Sequence, residues 1–536
     1  MKKFVSRLMA VLMAMTMILS MSMTAFAADA SKGTLTVNNT VAGKTLDLYQ
    51  IFTATKSGDN VAYTLNSEYE GFFKTKVENG SSLSGEALSE AAYNYVKTQV
   101  GTDGSNGAAF AKDIMGWILG NTATVEATHT TATTTDTTTV INNLDYGYYV
   151  VYPLGATDTS KEPGDETVKS VASLVSVTGD ASINMKSNYP TVVKKVNNKN
   201  ADDVNIGDTV TYTLTSKVPD MTGYTSYVFN FKDTLSAGLT FKEITSVTVG
   251  DTPITKVDAG QEANNTYTLA QDGQSITIKM NNFLDSNKDN TGKEIKVTYT
   301  ATLNKDAVTG FDANKNSATV EYSNKPGTDN KGESEPSIVD VHTFNFTIFK
   351  YYLKGADKTG LANAEFELYK ANAEGTAADE NAKINIVKVK DGEYRQATPE
   401  EAAEEGFKSD VIVSGTDGKV LVKGLDAGTY YLRETKAPEG YNKLLSDIKV
   451  EIKANYDKTT GKLTSYSVDY TYNGTPITGT EIKDTTTSPE VAVENKTGAQ
   501  LPSTGSKGAL MVTLAGIVLF GALTASKAFG KKKANN

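Results

Sequence analysis

The sequence has no cysteine, a single tryptophan and only two histidines in 536 residues. Without cysteine there can be no disulfide framework, so an exported chain of this size must draw its covalent strength from elsewhere. The histidines, His129 and His342, lie far apart and have no ligand spacing around them. That gives no metal site and too few imidazoles for the usual nucleophilic triads. Positive charge is the scarcer sign, with a net charge of −10, and no cluster of Lys and Arg interrupts the central part of the chain. Nucleic-acid binding needs concentrated cations to neutralise phosphate, so that partner is excluded. No motif pairs carboxylates across a cleft, a secreted hydrolase therefore finds no support, and nothing in the sequence calls for a cofactor. Long apolar runs are equally scarce, confined to one at each end.

The two ends read as export and attachment. Lys2, Lys3 and Arg7 precede an apolar stretch at residues 8–19 and the small-residue site Ala25-Phe26-Ala27. This is the pattern of a secretory signal peptide, residues 1–27, with the mature chain starting near Ala28. The other end carries Leu501-Pro502-Ser503-Thr504-Gly505, an apolar run at 508–525, and a basic tail at 526–536 with Lys527, Lys531, Lys532 and Lys533. The run is near the short end of what crosses a bilayer as a helix, and the lysines would stay on the cytoplasmic side. The pentapeptide resembles the LPXTG sorting signal of Gram-positive bacteria. That resemblance implies a sortase that cleaves between Thr504 and Gly505 and passes the Thr504 carbonyl to an amine, anchoring the chain to peptidoglycan or to another subunit.

Roughly 475 residues remain between the ends, enough for three ordinary domains. Short alternating segments rich in Thr, Val and Tyr recur between Gly, Asn and Asp turns, which predicts a mainly β protein of tandem immunoglobulin-like sandwiches. The expected domains are residues 28–188, 189–340 and 341–496, followed by a linker and sorting signal at 497–505. In the first, the 3.6-residue periodicity predicts helices over 84–100 and 108–119, and the Thr-rich stretch 122–139 reads as a loop or edge strand. Residues 323–336 read as a turn-rich loop, and 399–408 as a short surface helix.

Side chains two apart on a strand share a face. In the third domain this puts Lys350 with Phe344, Phe346 and Ile348, Glu434 with Leu432, and Asn495 with Val491 and Val493. The second domain repeats the set. Lys194 lies with Val192 and Val196, Asp233 with Phe229, Phe231 and Leu235, and Asn316 with Ala318, Val320 and Tyr322. Each triplet is expected to tie the first strand of its domain to the last. Burying charge is costly without a reason. Desolvation favours a neutral amine and a protonated acid; the amine is then a nucleophile, and the acid can polarise the carboxamide and move protons as ammonia leaves. The product is an amide between Lys and Asn. Taken alone, each triplet also reads as a buried ion pair beside an asparagine.

The segment Tyr430-Tyr431-Leu432-Arg433-Glu434-Thr435-Lys436-Ala437-Pro438-Glu439-Gly440-Tyr441 resembles the E-box of Gram-positive pilins, in a domain similar to the CnaB class. Residues 189–340 resemble the fimbrial isopeptide-forming domain of the same proteins. With both ends included, the resemblance is to a SpaA-type shaft pilin. It implies a structural protein polymerised by a class C sortase into a wall-anchored surface pilus, with tip and base pilins as further partners. It also implies a Lys350–Asn495 bond catalysed by Glu434 and a Lys194–Asn316 bond catalysed by Asp233. The first domain departs from the pattern, with Tyr152 where the acid would fall and no lysine in 33–37, so no crosslink is expected there. Its acceptor motif also departs, since Tyr189-Pro190 is followed by Thr191 where the family has lysine. Lys186, on the polar face of its strand just before Tyr189, is the expected acceptor amine, with Lys195 the second choice. A monomeric wall-anchored adhesin that binds a host ligand is the alternative reading.

Overall fold

The computed structural model describes residues 31–101, 106–134, 136–157, 170–185 and 188–497. The signal peptide, the LPSTG segment with its apolar run and basic tail, and Lys186 lie outside the described residues. Among the described residues no helix is long and apolar enough to cross a membrane. The protein is mainly β, built of β-sandwich domains with some helix in the N-terminal region. It divides into two compact units: residues up to 343 with 456–464, and residues 344–455 with those from 465 onward.

The first unit begins with a three-stranded sheet in the order Thr138–Asp145, Lys32–Asn38, Asp180–Asn184. A second sheet runs Asn60–Leu65, Leu46–Ser57, Gly147–Pro153, Ser173–Val177. All of Gly147–Pro153 is buried because the strand is covered on both faces, which is when an apolar run replaces alternation. Tyr149 and Val151 pack toward the three-stranded sheet, whereas Tyr148, Val150 and Tyr152 pack with the helices. Those helices are Gly85–Val100 and Gly107–Gly120, within a residue or so of expectation. A third, Glu70–Lys76, inserts Phe72 and Phe73 into the same core; at barely two turns it is too short to show a period. The Thr-rich stretch becomes a short strand, His129–Thr130, and the edge strand Thr138–Asp145.

The same unit continues into a sandwich with its own core. One sheet runs Thr252–Pro253, Leu239–Val249, Glu294–Leu303, Thr209–Lys217, Val193–Val196. The other runs Ala201–Asp203, Ser337–His342, Asn314–Ser323, Phe229–Leu235, Ser275–Met280, Thr266–Asp272, Thr255–Lys256. Burial alternates along Thr209–Lys217 and Phe229–Leu235 as period two requires. The expectation that Asn316 sits on the last strand is corrected: Ser337–His342 follows and pairs antiparallel, with Asn316 opposite Val339. The turn-rich 323–336 stretch also contains a short strand, Lys331–Glu333. This stretch fastens the two halves of the unit together. Lys44 Nζ donates to the Tyr322 hydroxyl (3.0 Å) and the Glu333 carbonyl (2.6 Å), and Lys325 lies 3.6 Å from the buried Asp47 carboxylate.

The second unit is a sandwich of two sheets. One runs Asp357–Gly360, Phe344–Lys354, Lys419–Leu425, Glu393–Gln396, Ile386–Lys390, with Glu490–Glu494 laid parallel to Phe344–Lys354. The other runs Ala378–Lys383, Glu365–Ala371, Gly428–Lys436, Ile448–Tyr456, Leu463–Tyr472, Thr475–Ile477. The surface helix expected over 399–408 is a single turn, Pro399–Ala402. Its start is fixed by a capping box in which Thr398 and Glu401 satisfy each other's backbone N–H.

Candidate functional site

In the second unit Lys350 lies on a central strand, with Val420 and Val491 packed beside its inward neighbours. Its backbone is held by Gly418, whose carbonyl accepts from the Lys350 N–H (2.7 Å). Gly418 has φ +78°, and a Cβ there would stand 2.2 Å from the Lys350 carbonyl oxygen, so only glycine fits. The parallel strand Glu490–Glu494 delivers Asn495 just past its end, where the Asn495 N–H donates to the Tyr351 carbonyl (2.9 Å). Glu434 arrives from the facing sheet, on Gly428–Lys436.

The three side chains close a triangle. Lys350 Nζ is 2.9 Å from Glu434 Oε1 and donates to Asn495 Oδ1. Asn495 Nδ2 donates to Glu434 Oε1 at 3.0 Å. The other carboxylate oxygen accepts from the Leu444 N–H at 2.8 Å, which fixes the orientation of the acid. The amine and the carboxylate have no solvent-accessible surface. Burial pulls Lys350 down to about 8, with Glu434 opposing the shift. A neutral amine is thus accessible at ordinary pH, its nitrogen in contact with the carboxamide it would attack.

In the first unit Lys194 comes from Val193–Val196 in the smaller sheet, and Asp233 and Asn316 from neighbouring strands of the larger one. All three are buried. Lys194 Nζ pairs with Asp233 Oδ2. Burial lowers Lys194 to about 8 against the pull of Asp233. A fourth residue, which sequence reasoning did not identify, completes this cluster. Tyr299, on Glu294–Leu303, accepts from Lys194 Nζ (2.8 Å) and donates to Asp233 Oδ2 (2.7 Å). Its oxygen also accepts from Asn316 Nδ2 (2.7 Å). The ring stacks on Tyr212 at 5.1 Å, and the lysine ammonium lies over both rings. Alternation marks Tyr299 as inward, with Val297 and Ala301, but gives no sign of its partners: Lys194 lies two strands away in the same sheet, and Asp233 and Asn316 belong to the opposite one.

The structure thus brings Lys350, Glu434 and Asn495 into direct contact, and joins Asn316 to Lys194 and Asp233 through the Tyr299 hydroxyl. Of the two acceptor candidates, Lys195 is half-buried with its amine donating to Asn200 Oδ1, and Lys186 lies outside the described residues, as do Leu501, Pro502, Thr504 and Gly505. In the first domain Tyr152 is buried with its hydroxyl on the Ala156 carbonyl (3.1 Å). Lys32, at the start of the opening strand, makes an exposed pair with Asp145 (2.6 Å). No group of histidine, aspartate and glutamate suited to a metal occurs among the described residues.

Comparison with known proteins gives two family matches, one taking in Asp233, Tyr299 and Asn316 and the other Lys350 and Glu434, with Lys194 and Asn495 outside the matched residues. Residues 206–326 match the Gram-positive pilin backbone subunit 2, Cna-B-like domain, and residues 350–466 match the SpaA prealbumin-like fold domain. The chain is 26% identical over 323 residues to the trypsin-resistant surface T6 protein of Streptococcus pyogenes, covering 54% of this chain and 50% of that one. It is 29% identical over 284 residues to fimbrial subunit type 2 of Actinomyces naeslundii, covering 49% of this chain and 50% of that one. The chain thus spans about half the length of the curated relatives it matches. Among solved structures, the T6 backbone pilin of S. pyogenes aligns over 84% of this chain and 89% of its own, at 19% identity and TM-score 0.42.

Proposed function

We propose that this chain, which carries a Gram-positive pilin backbone domain and a SpaA-type domain, is the structural shaft subunit of a covalently polymerised surface pilus. The observation that carries the reading is the presence of a buried Lys–acid–Asn cluster in each of those two domains. In the third domain Glu434 takes a proton from the Lys350 ammonium, and the neutral amine adds to the Asn495 carboxamide carbon. The acid gives that proton to the departing nitrogen and takes a second one from Nζ, the C–N bond breaks, ammonia leaves, and an Nζ–Cγ amide and a protonated Glu434 remain. Each cluster reacts once, so the chain is a product of its own chemistry and turns over no substrate. A class C sortase cleaves between Thr504 and Gly505 and joins Thr504 to Lys186 of the next subunit, with Lys195 as second choice. The finished fibre is passed to peptidoglycan, with tip and base pilins as its other components.

The test combines mass and assembly. The intact ectodomain should weigh two ammonia molecules less than its sequence, and Glu434→Ala should restore one of them. Cell-wall extracts should show a denaturant-resistant ladder that collapses to monomer in Lys186→Ala. A ladder lost only in Lys195→Ala would move the acceptor, and a wild-type chain found only as wall-linked monomer would favour the adhesin reading. An unshifted mass in folded wild-type protein would overturn the crosslinks.

A further inference from the structure

Tyr299 has no place in a mechanism that uses only lysine, acid and asparagine, yet its hydroxyl touches all three. The oxygen accepts from Lys194 Nζ (2.8 Å) and from Asn316 Nδ2 (2.7 Å), while the proton is donated to Asp233 Oδ2 (2.7 Å). One donor and two acceptor positions exhaust a phenol's capacity. The third domain has no such intermediary, since Glu434 meets both Lys350 and Asn495 directly. In the second-domain cluster the leaving nitrogen of Asn316 is held by the tyrosine. Two further atoms are short of a hydrogen: Asp233 Oδ1 and Asn316 Oδ1 are buried without any hydrogen-bond partner. Two partnerless acceptors in one dry cluster are costly, the Tyr212 hydroxyl stacked beside them is likewise buried and unpaired, and moving a proton from the lysine onto the acid turns an acceptor into a donor.

We infer that Tyr299 is a catalytic residue of the second-domain crosslink, relaying a proton between Asp233 and the nitrogen that leaves Asn316. The inference rests on the isopeptide reading above. The steps balance as follows. The Lys194 ammonium gives one proton to Asp233, which then donates to the Tyr299 oxygen and frees the phenolic hydrogen to turn. The neutral amine adds to Asn316 Cγ, and the former amide nitrogen, now attached to a tetrahedral carbon, becomes basic. Tyr299 passes its proton to that nitrogen and is reprotonated by Asp233, while Asp233 collects a second proton from Nζ. The C–N bond breaks, ammonia leaves, and an Nζ–Cγ amide and a protonated Asp233 remain. The phenol ends as it began.

The experiment follows formation of each bond in the full ectodomain, by intact mass and by recovery of the peptide that joins Lys194 to Asn316, over time after refolding and across a range of pH. The third-domain bond serves as an internal reference. Tyr299→Phe should slow the second-domain bond by about 100-fold or more, the usual contribution of a positioned proton donor, and leave the Lys350–Asn495 bond at its wild-type rate. If folded Tyr299→Phe forms the second bond at the wild-type rate, the relay is wrong while the crosslink reading stands. If wild type forms no Lys194–Asn316 bond, both fall. Should the phenylalanine variant fail to fold, fluorotyrosine at 299 keeps ring and hydroxyl but changes the acidity of the phenol. A relay predicts a shifted rate and pH profile, and an unchanged profile overturns it.

Discussion

Force applied along the chain distinguishes a domain closed by a covalent bond from one closed only by hydrogen bonds. Lys350 and Asn495 are 145 residues apart, and nearly the whole third domain lies between them. Once joined, those residues cannot lengthen however many strands separate. In Glu434→Ala the bond does not form, and opening the domain should release roughly 500 Å of contour at about 3.5 Å per residue. The second domain should behave differently. Its bond encloses the chain from Lys194 to Asn316, but Ser337–His342 lies beyond Asn316 and is held only by noncovalent contacts: strand pairing, the burial of Val339 and Val341, and a hydrogen bond from the Lys194 N–H to Ser337 Oγ. The stretch from Ser317 to His342 should therefore peel away even in crosslinked protein, releasing roughly 90 Å. It carries Tyr322, Lys325 and Glu333, which hold Lys44 and Asp47 of the first domain, so its release should loosen that domain too. The assay is single-molecule pulling between the termini. Wild type should show the first domain's extension and the short step, with Glu434→Ala adding the long one. A full-length extension of the third domain in wild type with the bond verified by mass, or no added step in Glu434→Ala, would refute the reasoning.

Two further expectations concern the neighbourhood of Lys350. In Glu434→Ala the lysine stays buried without the carboxylate that opposes its downward shift, so its folded value drops below about 8 while the unfolded amine stays near 10.4. Between those values the unfolded chain binds the extra proton, so stability must rise with pH through that window and is lowest on its acid side. Melting temperatures of Glu434→Ala at pH 7 and 9.5, referenced to the double variant with Lys350→Met, should show this rise; a fall would show that the folded state holds the lysine proton more tightly than the unfolded chain does. Gly418→Ala places a methyl 2.2 Å from the Lys350 carbonyl oxygen at a φ of +78°. It should cost more than about 1 kcal/mol and slow the third-domain bond, measured by melting and by the mass time course; a wild-type rate would show that the Lys350 backbone tolerates displacement.

Much of the site is legible in the sequence because a strand's alternation states which way each side chain points. Lys194, Asp233 and Asn316, like Lys350, Glu434 and Asn495, share strand faces with apolar residues, and all six prove buried. Alternation is silent about which strands lie side by side. The stretch before Ser337 is rich in Gly, Asn, Glu and Pro and so reads as loop, which hid the strand that follows Asn316. Glu70–Lys76 is too short for a helical period, although Phe72 and Phe73 are central to the core it joins. Sheet membership decides what the two clusters do. In the third domain Lys350 and Asn495 come from adjacent parallel strands, and the acid reaches them from across the core. In the second, Lys194 lies across the core from Asn316, and Asp233 shares a sheet with the asparagine. One bond would therefore stitch neighbouring strands within a sheet, and the other would rivet the two sheets of a sandwich together. The second arrangement sets the lysine and the asparagine in opposite sheets, and the residue that touches both is a tyrosine long enough to cross the gap.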